Sequence, residues 1–176
     1  VLGAVLDSGP PRQYAPMQRE HAALFRNFAN LDYKNLEKIL AFATEYGLLG
    51  LDPQQQFGTA GRPEHYVSGE SHLRWAREIC LMREAVDLVQ TPTRAEEQEP
   101  KLTWLFNAHL QQVQGRMVFE PDAPPRLFFA PQTLLAAMWL QLALSVAADK
   151  RFVACKFCQR LFEISTEQTG FRSHRE

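Results

Sequence analysis

The chain is poor in cysteine: three in 176 residues, with Cys80 alone and Cys155 and Cys158 two residues apart. Three thiols, one of them isolated, do not make the bridged framework of a small secreted domain. The opening VLGAVLDSGPPRQYAP also lacks the basic stretch and long apolar run of a secretory leader. A reducing cytoplasm is therefore the expected compartment. Charge of one sign is equally scarce. With 19 basic against 20 acidic residues the formal net charge is -1, so no global field marks nucleic acid or an anionic membrane as a partner. Long apolar runs are missing too. The nearest, from Leu134 to Ala148, has 15 residues interrupted only by Gln141 and Ser145, short of the roughly 20 needed to span a bilayer. It reads as a buried central helix, and no membrane partner is expected.

Catalytic signatures are absent as well. GTAGRP does not match the phosphate-cradling GxxxxGK[ST] pattern, and His65, His72 and Glu64 do not form HExxH. No nucleophile with a base and no paired carboxylates can be assembled, so the chain does not read as an enzyme. His109, among Leu105, Phe106, Leu110 and Val113, reads as a hydrogen-bonded core or boundary histidine.

What the chain does have is ordinary globular composition, 45% hydrophobic and 22% charged, which argues against extensive disorder. QREHAALFRNFANL and DYKNLEKILAFATEYG carry apolar residues at helical spacing, the second with Asp32 as the expected N-cap and Gly47 as the stop. LLGLDPQQQFGTAGRPEHYVSG reads as loop. From Ser71, the stripe Trp75, Ile79, Met82, Val86 and Val89 predicts a long helix ended by Thr91-Pro92. Cys80, one position beyond that stripe, is expected to be a small buried hydrophobe. KLTWLFNAHLQQVQ predicts a fourth helix followed by Gly115. The acidic EEQE at 96–99 precedes it and suits a helix N-terminus. RMVFE and RLFFA around PDAPP read as a β-hairpin or two extended segments, and the hairpin is the expected form. Trp75, Trp104 and Trp139 all fall where packing explains them. The expected fold is mainly α: a flexible lead over 1–15, a helical domain over 16–149 with a short β-hairpin insertion, and a distinct C-terminal segment over 150–176.

In that last segment RFVA and QRLFEI flank CKFC as two short strands, placing Cys155 and Cys158 at a hairpin tip. A redox dithiol wants a helix start after its first cysteine, whereas the residues after Cys158 alternate like a strand. A zinc knuckle wants two thiolates on a tight turn between strands, closed by two further ligands. Zinc is the preferred reading, ahead of a redox pair or two unremarkable thiols. His174, sixteen positions after Cys158, could supply a third ligand but reads more simply as a solvated histidine. From Arg151 to Glu176 there are five basic and three acidic residues, a local +2. Arg151, Lys156, Arg160, Arg172 and Arg175 are accordingly the candidate phosphate contacts.

PRLFFAPQTLLAAMWLQLALSVAADKRFVACKFCQRLFEIS, with FRNFANLD, ILAFATEYGLLG and NAHL before it, resembles bacterial proteins that join a helical domain to a small C-terminal zinc finger. In layout it is similar to the CGNR zinc-finger proteins, described as transcription regulators. The likeness runs from about Pro16 to the end of the chain. It implies a partial zinc-ribbon or treble-clef-like hairpin with Cys155 and Cys158 as the first ligand pair. A second pair would lie about fifteen to twenty residues on, at or beyond Glu176. It further implies a helical part that senses or dimerises and a finger that contacts nucleic acid. The alternative, from the residues themselves, is a protein- or ligand-binding helical module in which the finger is a structural clip or docking element. With one ligand pair only, these 176 residues are expected to hold no stoichiometric zinc, and the helical domain is expected to fold without it.

Overall fold

The computed structural model describes residues 4–6, 24–51, 56–58, 66–90, 98–120, 124–148, 150–154 and 161–164. For 4–6, 56–58, 66–68, 151, 154 and 161–164 it describes the backbone alone. The architecture is mainly helical. In chain order it runs β1 (Ala4–Leu6), α1 (Leu24–Ala29), α2 (Leu36–Tyr46), β2 (Gln56–Gly58), β3 (Tyr66–Ser71), α3 (His72–Gln90), α4 (Gln98–Leu110), β4 (Val113–Val118), β5 (Arg126–Pro131), α5 (Leu134–Ala147), β6 (Arg151–Ala154) and β7 (Leu161–Ile164).

The apolar helix α5 is the hub. Nine of its residues are buried, from Leu135 to Ser145, because α1, α3 and α4 all pack against it. Of its two polar members, Gln141 has a task of its own. The Gln141 side chain accepts from the Phe25 N–H at 3.4 Å, occupying one of the donors that a helix leaves unpaired in its first turn. The Ser145 carbonyl accepts from Lys150 N–H at 3.0 Å and draws the chain from α5 into β6. At the other end Thr133 caps α5, its Oγ1 accepting from Ala136 N–H at 3.1 Å. Around this hub lie Trp75, Ile79 and Met82 of α3, Phe25 and Phe28 of α1, Ile39 of α2 and Leu105 of α4, all buried. Phe28 and Phe42 both meet the Trp75 ring, with centroids 6.0 and 6.2 Å away, within the range of favourable aromatic pairs.

Several expectations need correcting. The N-cap of α2 is Asn35, whose Oδ1 accepts from Lys38 N–H at 3.1 Å. Asp32 instead accepts from Lys34 N–H at 3.1 Å, closing a turn ahead of the helix. Gly47 does stop α2, with φ +96°. The stretch read as loop carries two strands, with β3 in the middle of the sheet order β1-β3-β2 and antiparallel to both, Leu6 opposite Gly69 and Gly58 opposite Tyr66. The fourth helix ends at Leu110, so Gly115 stands within β4 and not at a helix stop. Trp104 is 58% exposed, because it sits two residues, about 200° of helical turn, from the buried Leu102. Cys80 is exposed, one step of about 100° off the Ile79 stripe. The hairpin insertion stands as expected: β4 and β5 pair antiparallel from Val113 opposite Pro131 to Val118 opposite Arg126.

Candidate functional site

The cysteine segment is framed by β6 and β7, which pair antiparallel from Arg151 opposite Ile164 to Ala154 opposite Leu161. Residues 155–160 join the two strands. In chain order, then, a strand precedes the cysteine pair and a strand follows it at Leu161. Phe152 anchors the frame to the helical core. Phe152 is buried and meets Phe25 edge-on, with centroids 5.5 Å apart at 85°, while its neighbour Val153 faces outward, 39% exposed. This alternation turns one face of β6 into the core and leaves the other open.

Of the residues singled out in sequence, Cys155, Cys158, Lys156, Arg160, Arg172, His174 and Arg175 lie outside the described residues. Arg151 opens β6, and its side chain lies outside the description too. Among the described residues no group of three or more His, Cys, Asp or Glu could hold a metal ion, and none of the helices is long and apolar enough to cross a membrane.

Two buried polar clusters stand out, and the first of them went unnoticed in sequence. In the first, Glu70 of β3, only 3% exposed, accepts four hydrogen bonds. Oε2 takes Leu49 N–H at 2.9 Å and the Trp75 indole N–H at 2.8 Å. Oε1 takes Gly50 N–H at 2.6 Å and Leu51 N–H at 2.7 Å. Every neighbour is a donor, the setting an acceptor-only carboxylate needs when removed from water. The loop so held passes on to α5, since the Leu49 carbonyl accepts from Leu135 N–H at 3.1 Å. No sequence signal marks Glu70, because three of its four partners are backbone N–H groups about twenty residues earlier.

In the second cluster, His109 at the end of α4 has Nδ1 2.7 Å from the Leu105 carbonyl and Nε2 3.0 Å from Glu78 Oε2 on α3. Its ring lies flat on Trp139 of α5, with centroids 4.1 Å apart at 16°. This is the hydrogen-bonded boundary histidine expected from sequence. It ties three helices together.

An open groove of about 460 Å³ runs between α1 and α2, lined by Asn27, Asn30, Lys38, Glu45 and Tyr46 over the apolar Leu31, Ala41 and Phe42. Burial and a hydrogen bond to Glu45 push the Tyr46 hydroxyl above its usual range, which keeps it neutral.

No protein-family model matches the chain, and no curated protein matches it either. The tetrapeptide that names the CGNR proteins does not occur in these 176 residues. The functional reading therefore rests on the residues and on the frame around them.

Proposed function

We propose that the protein is a zinc-finger transcription regulator. A helical domain senses or dimerises, and a finger that starts with Cys155 and Cys158 as zinc ligands contacts nucleic acid. One observation carries the reading: the β6–β7 ladder brackets CKFC between Ala154 and Leu161, the setting in which a short turn brings two thiolates within the roughly 2.3 Å Zn–S distance of one ion. Phe152 roots this hairpin on Phe25, so that a finger would be held against the helical core and not trail from it. The remaining two ligands are those that the family resemblance puts at or after residue 176. Arg151, Lys156, Arg160, Arg172 and Arg175 would meet phosphates, the source of a salt-dependent affinity.

The test is binding of the full-length protein to random-sequence DNA and RNA over a salt series. The reading expects an affinity that falls linearly in log-log form with salt, with a smaller slope after Arg151→Ala with Arg160→Ala. Absence of salt-dependent binding to either nucleic acid contradicts it.

The groove between α1 and α2 favours a second reading, in which the helical part binds a small polar ligand and the finger is a clip or docking element. Asn27, Asn30, Lys38 and Glu45 offer hydrogen-bonding groups over an apolar floor, the general make-up of a small-molecule site. A basic continuation after the second ligand pair supports the first reading, and an acidic or apolar one the second.

A further inference from the structure

The β4–β5 ribbon has two unlike sides, which the strand register separates. Val113 with Pro131, Gly115 with Phe129 and Met117 with Leu127 share one side, and it carries no charge. Gln114 with Ala130, Arg116 with Phe128 and Val118 with Arg126 share the other. That second side holds two guanidinium groups and one aromatic ring, and none of its residues is acidic. In a chain whose formal net charge is -1, it is a local positive excess.

The three side chains stand together. Arg116 lies directly across from Phe128, with Cβ atoms about 4.5–5.5 Å apart. Arg126 stands two residues from Phe128 along the same strand, about 7 Å away. A guanidinium therefore flanks the ring both across the ribbon and along it. All three residues are exposed, Phe128 by 46%. Among the described residues no carboxylate pairs with either arginine, and neither a second ring nor a cation covers Phe128. Arg116 donates from Nη2 to Gln114 Oε1 at 3.3 Å. That bond to a neutral amide steadies the guanidinium and leaves its charge uncompensated.

We propose that this side of the ribbon binds single-stranded nucleic acid, with phosphates on Arg116 and Arg126 and a base stacked on Phe128. The class of partner rests on the nucleic-acid reading of the protein, while the surface is one that reading leaves unassigned. Charge complementarity calls for a polyanion, and the planar guanidinium fork suits a phosphate. The bare ring between the arginines selects among polyanions: a base stacks on an aromatic face, and an acidic peptide has no such group to offer. A base can stack there only when it has left a duplex, which makes the strand single. A bilayer fits poorly. Met117, Leu127 and Phe129 lie on the uncharged side, so a membrane that took the arginines would leave the larger apolar surface in water. The ribbon and the finger are also well apart. β5 leads into the start of α5 and β6 follows its end, and a helix of 14 residues is about 21 Å long. The two surfaces therefore contribute separately.

The test is fluorescence anisotropy of the full-length protein with a labelled oligothymidylate of about twelve nucleotides, over a salt series. It is run in the wild type and in Cys155→Ser with Cys158→Ser, which removes the finger's ligands. In both backgrounds Phe128→Ala should weaken binding roughly ten- to hundredfold with an unchanged salt slope. Arg116→Ala with Arg126→Ala should lower the slope by about 1.4, at about 0.7 for each phosphate contact. Met117→Gln with Leu127→Gln, on the uncharged side, should bind as the parent does. Should Phe128→Ala disturb the ribbon, Phe128→Trp should keep the affinity and add emission that the oligonucleotide quenches beyond the wild-type background. Binding that the Phe128 and arginine variants leave unchanged overturns the proposal and leaves the finger reading standing. Binding that those variants weaken and the paired serines do not supports the proposal and contradicts the finger's part. Absence of oligonucleotide binding, equal competition by polyglutamate, or binding confined to phosphatidylserine vesicles overturns it.

Discussion

The carboxylate of Glu70 accepts the indole N–H of Trp75 at 2.8 Å while its other bonds go to three consecutive backbone N–H groups, Leu49 to Leu51. One buried side chain thus ties the turn after α2, the start of α3 and, through Leu49, the start of α5. Glu70→Gln replaces one acceptor oxygen by a donor amide facing N–H groups that cannot pair with it. It should lower unfolding free energy by about 2–4 kcal/mol, since buried groups left unpaired cost about 1–3 kcal/mol each. Trp75→Phe keeps most of the apolar packing and removes one bond, so its loss should be smaller. Urea denaturation followed by circular dichroism measures both, and equal losses would show that burial and not the bond network dominates.

Gly50 is required for two reasons. Its φ is +81°, and a Cβ there would stand 2.5 Å from Thr133 Cγ2 and 2.7 Å from Thr133 Cβ. Thr133 cannot yield freely, because its Oγ1 caps α5 and donates to Gln112 Oε1 at 2.8 Å. Gly50→Ala should therefore destabilise by about 2 kcal/mol or more. Gly47→Ala, at φ +96° with nothing near the added carbon, should cost only about 1 kcal/mol. The ranking of their thermal midpoints checks this.

His109 joins the Leu105 carbonyl and Glu78 while lying on Trp139. His109→Phe preserves the stacking and leaves Glu78, which is 9% exposed, without that partner. A loss of about 1–3 kcal/mol follows from the isolated buried carboxylate, and adding Glu78→Gln should recover part of it. A double-mutant cycle with no coupling would contradict the pairing.

Asp87 supplies a pH dependence. Burial raises its carboxyl above the ordinary value, Arg83 opposes the rise and Glu84 adds to it. A folded-state value above the unfolded one gives stability that is present below the ordinary carboxylate range and lost as pH rises through the raised value. At neutral pH the charged form is therefore a small burden. Asp87→Asn should raise the melting temperature at pH 7 by no more than about 2 °C, and the gain should vanish on acidification. A gain that grows in acid would contradict the sign.

The helices were legible because their apolar residues recur at helical spacing and buried sides follow from it, as in Trp75, Ile79, Met82 and Val86. Where a hydrophobic residue lies off its stripe, as Trp104 and Cys80 do, hydrophobicity alone misplaced it. The strands β2 and β3 were not legible, since Gly, Pro and Gln break any alternation there. Glu70 and Glu78 were hidden for a different reason: a carboxylate that pairs with backbone or with a distant histidine leaves no local pattern. The candidate zinc segment was legible as a pair between strands, and that frame is where β6 and β7 stand. The two cysteines themselves lie outside the described residues.

Because the helical core contains no candidate metal cluster among the described residues, chelation should leave it intact. Treating the chain with a strong chelator should not shift the thermal midpoint read from tryptophan emission, which reports Trp75 and Trp139 in the core. A large fall would mean that the metal holds the helices together.

The central claim, that Cys155 and Cys158 are zinc ligands, is tested most directly by cobalt substitution of the full-length protein. A tetrahedral thiolate site gives intense thiolate-to-cobalt absorption, displaced stoichiometrically by zinc. The account predicts that absorption in the wild type and its loss in both Cys155→Ser and Cys158→Ser, with the helical circular dichroism unchanged. A full-length protein that shows no such band, or one that keeps it in either serine variant, would contradict the account.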